Sequence, residues 1–327
     1  MRILRIFGLL LFAAVAVAVS AQTPEKLPFT LKPLGHGVYA AIDDAKGDAG
    51  ANAGFVIGDD GMLVVDTFEN EKAARALLAE IRKLTALPIK FVVNTHYHLD
   101  HVGGNRVFRN VGAVIVAQVN VADWIHTENL KFFGIDIKPE QRQLVESLVG
   151  PDVYYWEDLA LSLGKRRVLL GHQLGHTGGD TIVTIPDAHV TFYGDLFWRK
   201  TLPNLIDATV AELTGPVGLA QPNQKGTTES DKFVPGHGDV GTAEDLREFN
   251  RYLTDLEDDT RKALNDGKNG DELIAAVLPV IKEKYGKWEL FEYFAKANIK
   301  DVAAEIKKQK KVPGLPRGIT WADVQRR

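Results

Sequence analysis

Hydrophobic and polar positions alternate in two rhythms along this chain, and the change from one to the other organises it. Short β-prone runs come first, at residues 37–42, 54–57 and 62–66, after an extended, proline-marked entry over 22–35. Gly/Asp-rich turns separate them, with Asp59-Asp60-Gly61 the clearest hairpin signal. Ala74, Leu77, Leu78, Ile81 and Leu84 then recur at helical spacing and predict a helix over 70–86, closed by Pro88. An apolar run at 89–93 predicts the next strand, and Gly103-Gly104 permit a sharp exit into a short helix at 105–108.

Further on, the pattern predicts strands at 113–117, 167–171, 181–185 and 189–193, with helices at 121–129 and 139–149. From Thr242 the rhythm becomes wholly helical. Thr242 and Asp245 form a capping box, and Leu246, Phe249, Leu253, Leu256 and Leu264 line one face. Two more helices follow at 271–284 and 288–308, and no internal repeat is visible.

Composition changes this picture at the ends. Arg2 and Arg5 precede an apolar run over 7–19, and Val19-Ser20-Ala21 resembles a signal-peptidase site, so residues 1–21 read as a secretory leader cleaved after Ala21. An uncleaved anchor is the alternative, for which the run is short. Export implies a secreted or periplasmic protein with no membrane association once the leader is removed. Losing the leader removes two arginines and no acid, leaving 37 basic against 43 acidic side chains, a charge of −6 that attracts no nucleic acid globally. Lys307, Lys308, Lys310 and Lys311 read as a solvated helix end rather than a patch for an anionic surface. The chain has no cysteine, which excludes a thiol nucleophile, a lipoprotein anchor and thiolate metal ligands; any metal site must use His, Asp and Glu.

The densest chemistry lies in Asn94-Thr95-His96-Tyr97-His98-Leu99-Asp100-His101. In an extended chain residues two apart share a face, so His96, His98 and Asp100 would converge, and His101 can join only if the strand ends there. Imidazole with carboxylate suits zinc or another first-row ion. One such stretch cannot encircle an ion. Three later segments offer a His or Asp among glycines: Gly175-His176-Thr177-Gly178-Gly179-Asp180, Tyr193-Gly194-Asp195-Leu196-Phe197, and Pro235-Gly236-His237-Gly238-Asp239. Each alone reads as a turn or a loop histidine.

Together and in this order, the four segments resemble the metal-ligand motifs of the metallo-β-lactamase superfamily, headed by its His-x-His-x-Asp-His signature, over residues 34–252. The resemblance implies an α/β (α+β) fold, the four-layer αβ/βα sandwich, over 22–252, and the helical rhythm beyond it makes 253–327 a helical C-terminal extension. It implies His96, His98 and His176 on one metal, Asp100, His101 and His237 on a second, and Asp195 bridging them. It further implies two Zn2+ per chain, with iron or manganese tolerated, and hydrolysis of a small-molecule substrate by a water shared between the ions, Asp100 handling its proton. Asp66 resembles a family position that orients a ligand imidazole, or else caps a helix; His172 is a candidate for a supporting role.

The antibiotic-hydrolysing relatives usually carry cysteine or serine where this chain has Asp195, and lysine where it has Trp198. An aspartate there resembles the hydrolases of thioesters, lactones and phosphodiesters. Arg199 and Lys200 are candidates to reach a substrate carboxylate. Trp124, Phe132, Phe133, Phe197 and Trp198 could form an apolar mouth or belong to the core. The resulting expectation is an exported two-metal hydrolase of an acyl bond in a lactone, ester, thioester or β-lactam. A phosphodiester hydrolase and a non-catalytic metal-binding accessory protein are the alternatives. Oligomeric state stays open, and the helices after Tyr252 could cover the site, form an interface or complete the core.

Overall fold

The computed structural model describes residues 26–44, 48–219 and 230–313. The expected leader, 1–21, lies outside the described residues. No helix among those described is long and apolar enough to cross a membrane.

Two sheets face each other. The first runs in chain order through β1 (Phe29–Gly35), β2 (Val38–Asp43), β3 (Ala53–Ile57), β4 (Met62–Val65), β5 (Ile89–Val93), β6 (Val114–Gln118) and β7 (Val153–Tyr155). Its first four strands are antiparallel, and β4 to β7 run parallel. The second sheet has the order β12, β11, β10, β9, β8, from β8 (Asp158–Leu163), β9 (Arg166–Gln173), β10 (Asp180–Ile185), β11 (Val190–Trp198) and β12 (Lys232–His237).

Strand alternation sorts the side chains into layers. On β4, Leu63 and Val65 meet Val183, Val190 and Val234 of the second sheet. Met62 and Val64 turn outward, against Ala74, Leu77 and Ile81 of α1 (Glu71–Leu84) and Phe108 of α3 (Asn105–Arg109). The short α2 (Leu99–Val102) comes between them in the chain. On the far side Phe197 and Phe233 pack against α6 (Val210–Leu219), α7 (Ala243–Asn265), α8 (Gly270–Tyr285) and α9 (Phe291–Ile306). The order helix, sheet, sheet, helix is the four-layer sandwich. The helices after Tyr252 therefore complete a core layer, and α7 crosses that position without a break, started by the Thr242/Asp245 capping box.

Several elements differ from the sequence pattern. Instead of one helix at 121–129 there is α4 (Val119–Trp124), then a 3-10 turn at Glu128–Phe133. Buried Asn129 is the cause: its amide takes the Leu99 N–H and donates to the Tyr97 and Ile125 carbonyls, replacing the helical pattern. The other expected helix there is α5 (Pro139–Glu146). Strand β8, absent from the predicted elements, reads Asp-Leu-Ala-Leu-Ser-Leu, a period-two signal, and Gly164 at φ +70° turns it back into β9. Nor is Lys310 a solvated helix end: its ammonium is buried, bonding to the Leu205 carbonyl and facing Asp301.

Candidate metal centre

The site lies at the carboxyl ends of the strands, where loops leave both sheets. β5 stops at Val93, short of the histidines, so they are not ordered by strand alternation as their spacing predicts. His96 and His98 sit in the loop and Asp100 and His101 in α2, which turns the last two toward a different point. The outcome is two groups whose ligand atoms lie within 4.8 Å of one another: His96, His98, His176 and Asp195, and Asp100, His101 and His237.

Asp195 joins the groups. Its Oδ2 lies 3.2 Å from His176 Nε2 and 3.7 Å from His96 Nε2, while Oδ1 lies 3.2 Å from His101 Nε2 and 3.5 Å from His237 Nε2. Asp100 Oδ2 is 3.3 Å from His237 Nε2. Two glycines make room. A Cβ on Gly236 would fall 1.8 Å from Asp195 Oδ1, and Gly194, at φ +52°, would drive one into Thr95.

Hydrogen bonds outside the groups fix which imidazole nitrogens face inward. Thr95 gives its hydroxyl proton to Asp66 Oδ2 at 2.7 Å, so its oxygen is left to accept from His96 Nδ1 at 3.1 Å, and His96 presents a bare Nε2. Asp66 Oδ2 also takes His101 Nδ1–H at 2.9 Å, and its Oδ1 takes the Thr95 N–H. The position of Asp66 thus supports the orienting role and excludes the capping one, because the α1 cap is Asn70. His98 is turned the other way: Nε2 donates to Asp207 Oδ2 at 3.1 Å, leaving Nδ1 inward, 3.0 Å from His176 Nε2.

Asp207 escaped the sequence analysis. It also accepts from the Tyr97 hydroxyl at 2.5 Å and from the Lys131 ammonium, and Lys131 is held by Glu128 as well. Burial opposes its charge, but His98 and Lys131 hold its carboxyl below the usual carboxylate range.

These donors fit metal binding. Among the described residues, His96 Nε2, His101 Nε2, His237 Nε2 and Asp195 Oδ1 are buried polar atoms with no hydrogen-bond partner. Burial, then the neighbouring His101, keep His96 well below its ordinary value, and burial lowers His176 to about 3 despite Asp195. Both are neutral, the form a metal needs. Burial also opposes charge on His101 and His237, yet the carboxylates, Asp195 foremost, lift His101 well above normal and His237 to about 9. The two lifted imidazoles, His237 and His101, in turn hold Asp195 well down against its burial. The second group is thus a cluster short of positive charge.

A cavity of about 950 Å3 opens over both groups. Trp198 lines it, stacked on His237 with ring centroids 3.9 Å apart, and Phe132 and Phe133 line it as well. The other mouth candidates are elsewhere. Trp124 packs edge-on to Tyr97 in a small core cluster, and Phe197 is buried against Phe249. Arg199 pairs with Asp245 at 3.0 Å, and Lys200, at φ +52°, points to Glu248, so neither lines the cavity. His172 bonds to the Gly178 carbonyl and supports the loop carrying His176 rather than a ligand itself.

Residues 47–260 match the model of the metallo-beta-lactamase superfamily. A linear primary-alkylsulfatase from Pseudomonas sp. (strain ATCC 19151) is 25% identical, over 69% of this chain and 51% of its own length, so the chain spans about half of that relative. A metallo-beta-lactamase from Pontibacter korlensis shares the fold, with a TM-score of 0.56, 22% identity, and coverage of 69% of this chain and 99% of that one. A family match over most of the chain, a shared four-layer fold and two His/Asp groups at its strand ends agree: this protein belongs to the metallo-β-lactamase superfamily.

Proposed function

We propose that this chain is an exported dinuclear hydrolase, with zinc as its ordinary metal, that cleaves an acyl bond in a small molecule. The observation that carries the reading is the Asp195 carboxylate, whose two oxygens face two different imidazole groups. His96, His98 and His176 would hold one ion, Asp100, His101 and His237 the other, and Asp195 both. When bound, two such ions supply Lewis acidity and make a water acidic enough to attack at neutral pH.

The chain's own residues do the rest. Asp100 is anionic: burial works against that charge, but His101 and His237 outweigh it. It lines the cavity, placed to accept the proton of the attacking water and return it to the leaving group. Asp66, Thr95 and Asp207 keep the imidazoles in the tautomers that ligation requires. Because Arg199 and Lys200 are engaged elsewhere, no cation from that turn meets a β-lactam carboxylate, which favours lactones, esters and thioesters. Export rests on the leader-like residues 1–21.

A second reading is hydrolysis of a sulfate ester, favoured by the similarity to the linear primary-alkylsulfatase. The test is elemental analysis of the purified protein with hydrolysis assays on a lactone, a thioester, a β-lactam, a phosphodiester and an alkyl sulfate. About two metals per chain with acyl turnover supports the first reading, and turnover of the alkyl sulfate alone selects the second. Turnover of the phosphodiester alone, or a full metal complement with no turnover anywhere, counts against both.

A further inference from the structure

Building on that hydrolase reading, we infer that the substrate carries an extended apolar chain and no second anionic group. Its chain would lie in a groove between the 3-10 turn at Glu128–Phe133 and the start of α9. Four side chains carry the argument. Phe132, Leu290, Tyr293 and Phe294 line the cavity together, and the first three are 38%, 46% and 75% exposed. Leu290 holds its place at a cost, since it sits at φ +59°, a backbone region unfavourable for a residue with a Cβ.

The apolar walls reach the reacting centre itself. Phe132 packs edge-on to His98 with centroids 4.8 Å apart, Trp198 stacks on His237, and Phe294 contacts Trp198 edge-on at 6.3 Å. A group attached to the scissile bond therefore leaves the metal ligands directly onto aromatic surface. About 950 Å3 is ample for the reacting group and a chain of many carbons.

Charge around the cavity excludes a second anion. Glu69, Asp239 and Glu289 line it alongside Asp100 and Asp195, and the lining ammonium, Lys32, is paired with Asp239 at 2.6 Å. A distal carboxylate or phosphate on the substrate would meet this acidic rim with no cation to receive it.

The test uses two independent readouts on metal-loaded protein. Straight-chain alcohols of four to ten carbons are titrated by calorimetry, and p-nitrophenyl esters from acetate to decanoate are assayed for hydrolysis. Affinity and kcat/KM are expected to rise roughly fourfold per methylene until the groove is full, the fold-change of ~0.8 kcal/mol per buried methylene. In Tyr293→Ser and in Phe132→Ser this slope should fall by half or more, a change that simple loss of folded protein does not produce. An ω-carboxyl group on the longer esters should lower kcat/KM at least tenfold.

A flat chain-length dependence of alcohol binding overturns the groove, even where short esters are hydrolysed and the hydrolase reading stands. Equal turnover of the ω-carboxylated esters overturns the charge argument. Alcohol affinity that climbs with length while no ester or lactone is hydrolysed keeps the groove and removes the acyl-hydrolase reading.

Discussion

Replacing Asp207 tests whether the metal centre depends on a residue outside the signature. Its carboxylate takes the His98 Nε2 proton at 3.1 Å and thereby turns Nδ1 toward the other ligands. In Asp207→Ala the ring is free to flip or to change tautomer. Partners of ligating histidines typically contribute ten- to a hundredfold in metal affinity, about 1.4–2.7 kcal/mol, and the loss should fall first on the ion held by His96, His98 and His176. Stability should drop as well. The Tyr97 hydroxyl and the His98 N–H are buried and lose their acceptor, which at ~1–3 kcal/mol for each gives about 2–6 kcal/mol. The partly exposed Lys131 can return to water.

Asp207→Asn separates the two effects, because it keeps an acceptor oxygen and loses the charge. It should recover most of the stability and leave a metal defect about tenfold smaller than that of the alanine variant. Competition with a chromogenic chelator measures affinity, and urea unfolding measures stability. A folded Asp207→Ala protein that binds both metals within twofold of the parent would refute the orienting role.

Three other substitutions bear on the same structure. Asp195→Ala should keep the fold and lose most of the metal at the Asp100, His101 and His237 group, read by elemental analysis; full occupancy with full activity would remove Asp195 from the site. Burial raises Asp43 to about 7 and one of its oxygens lacks a partner, so its ionisation opposes folding as pH climbs from the ordinary 3.8 to about 7. Asp43→Asn should therefore stabilise the chelator-treated protein at pH 8 by about 1–2 kcal/mol, after solvent screening of a half-buried group, and have little effect at pH 4. Urea midpoints showing the same gain at both pH values would contradict this. Phe197→Ala should lower stability by ~3–5 kcal/mol, as for a core aromatic, with KM for short esters unchanged; a raised KM at full stability would return Phe197 to the mouth.

How much of this could be read from the residues alone depended on the range of each interaction. Helix α1 and the Thr242/Asp245 start of α7 are local patterns, and both stand within two residues of their expected limits. The seven metal-ligand candidates were legible through their motifs, but the reason they converge was not. The expected strand alternation through Asp100 gives way to a loop and a helical turn, and it is this break that separates the two groups. Asp66 was visible with two meanings, and only the positions of Thr95 and His101 decided between them.

Asp207 and the groove lay beyond such reading for a common reason. Asp207 stands 109 residues from His98 in a stretch without a motif, and its meaning arises from the approach of the segment between β11 and α6 to the histidine loop. Leu290, Tyr293 and Phe294 likewise look like ordinary apolar positions of a helix until α9 is laid over sheet and site. The signature marks where ions are held. What orients the imidazoles, and what surrounds the bond beside them, comes from segments that carry no signature and reach the site only through packing. Relatives sharing the His-x-His-x-Asp-His stretch can therefore differ in substrate with their ligands unchanged, and substitutions at 132, 290 and 293 are a sharper test of substrate choice in this chain than any at its histidines.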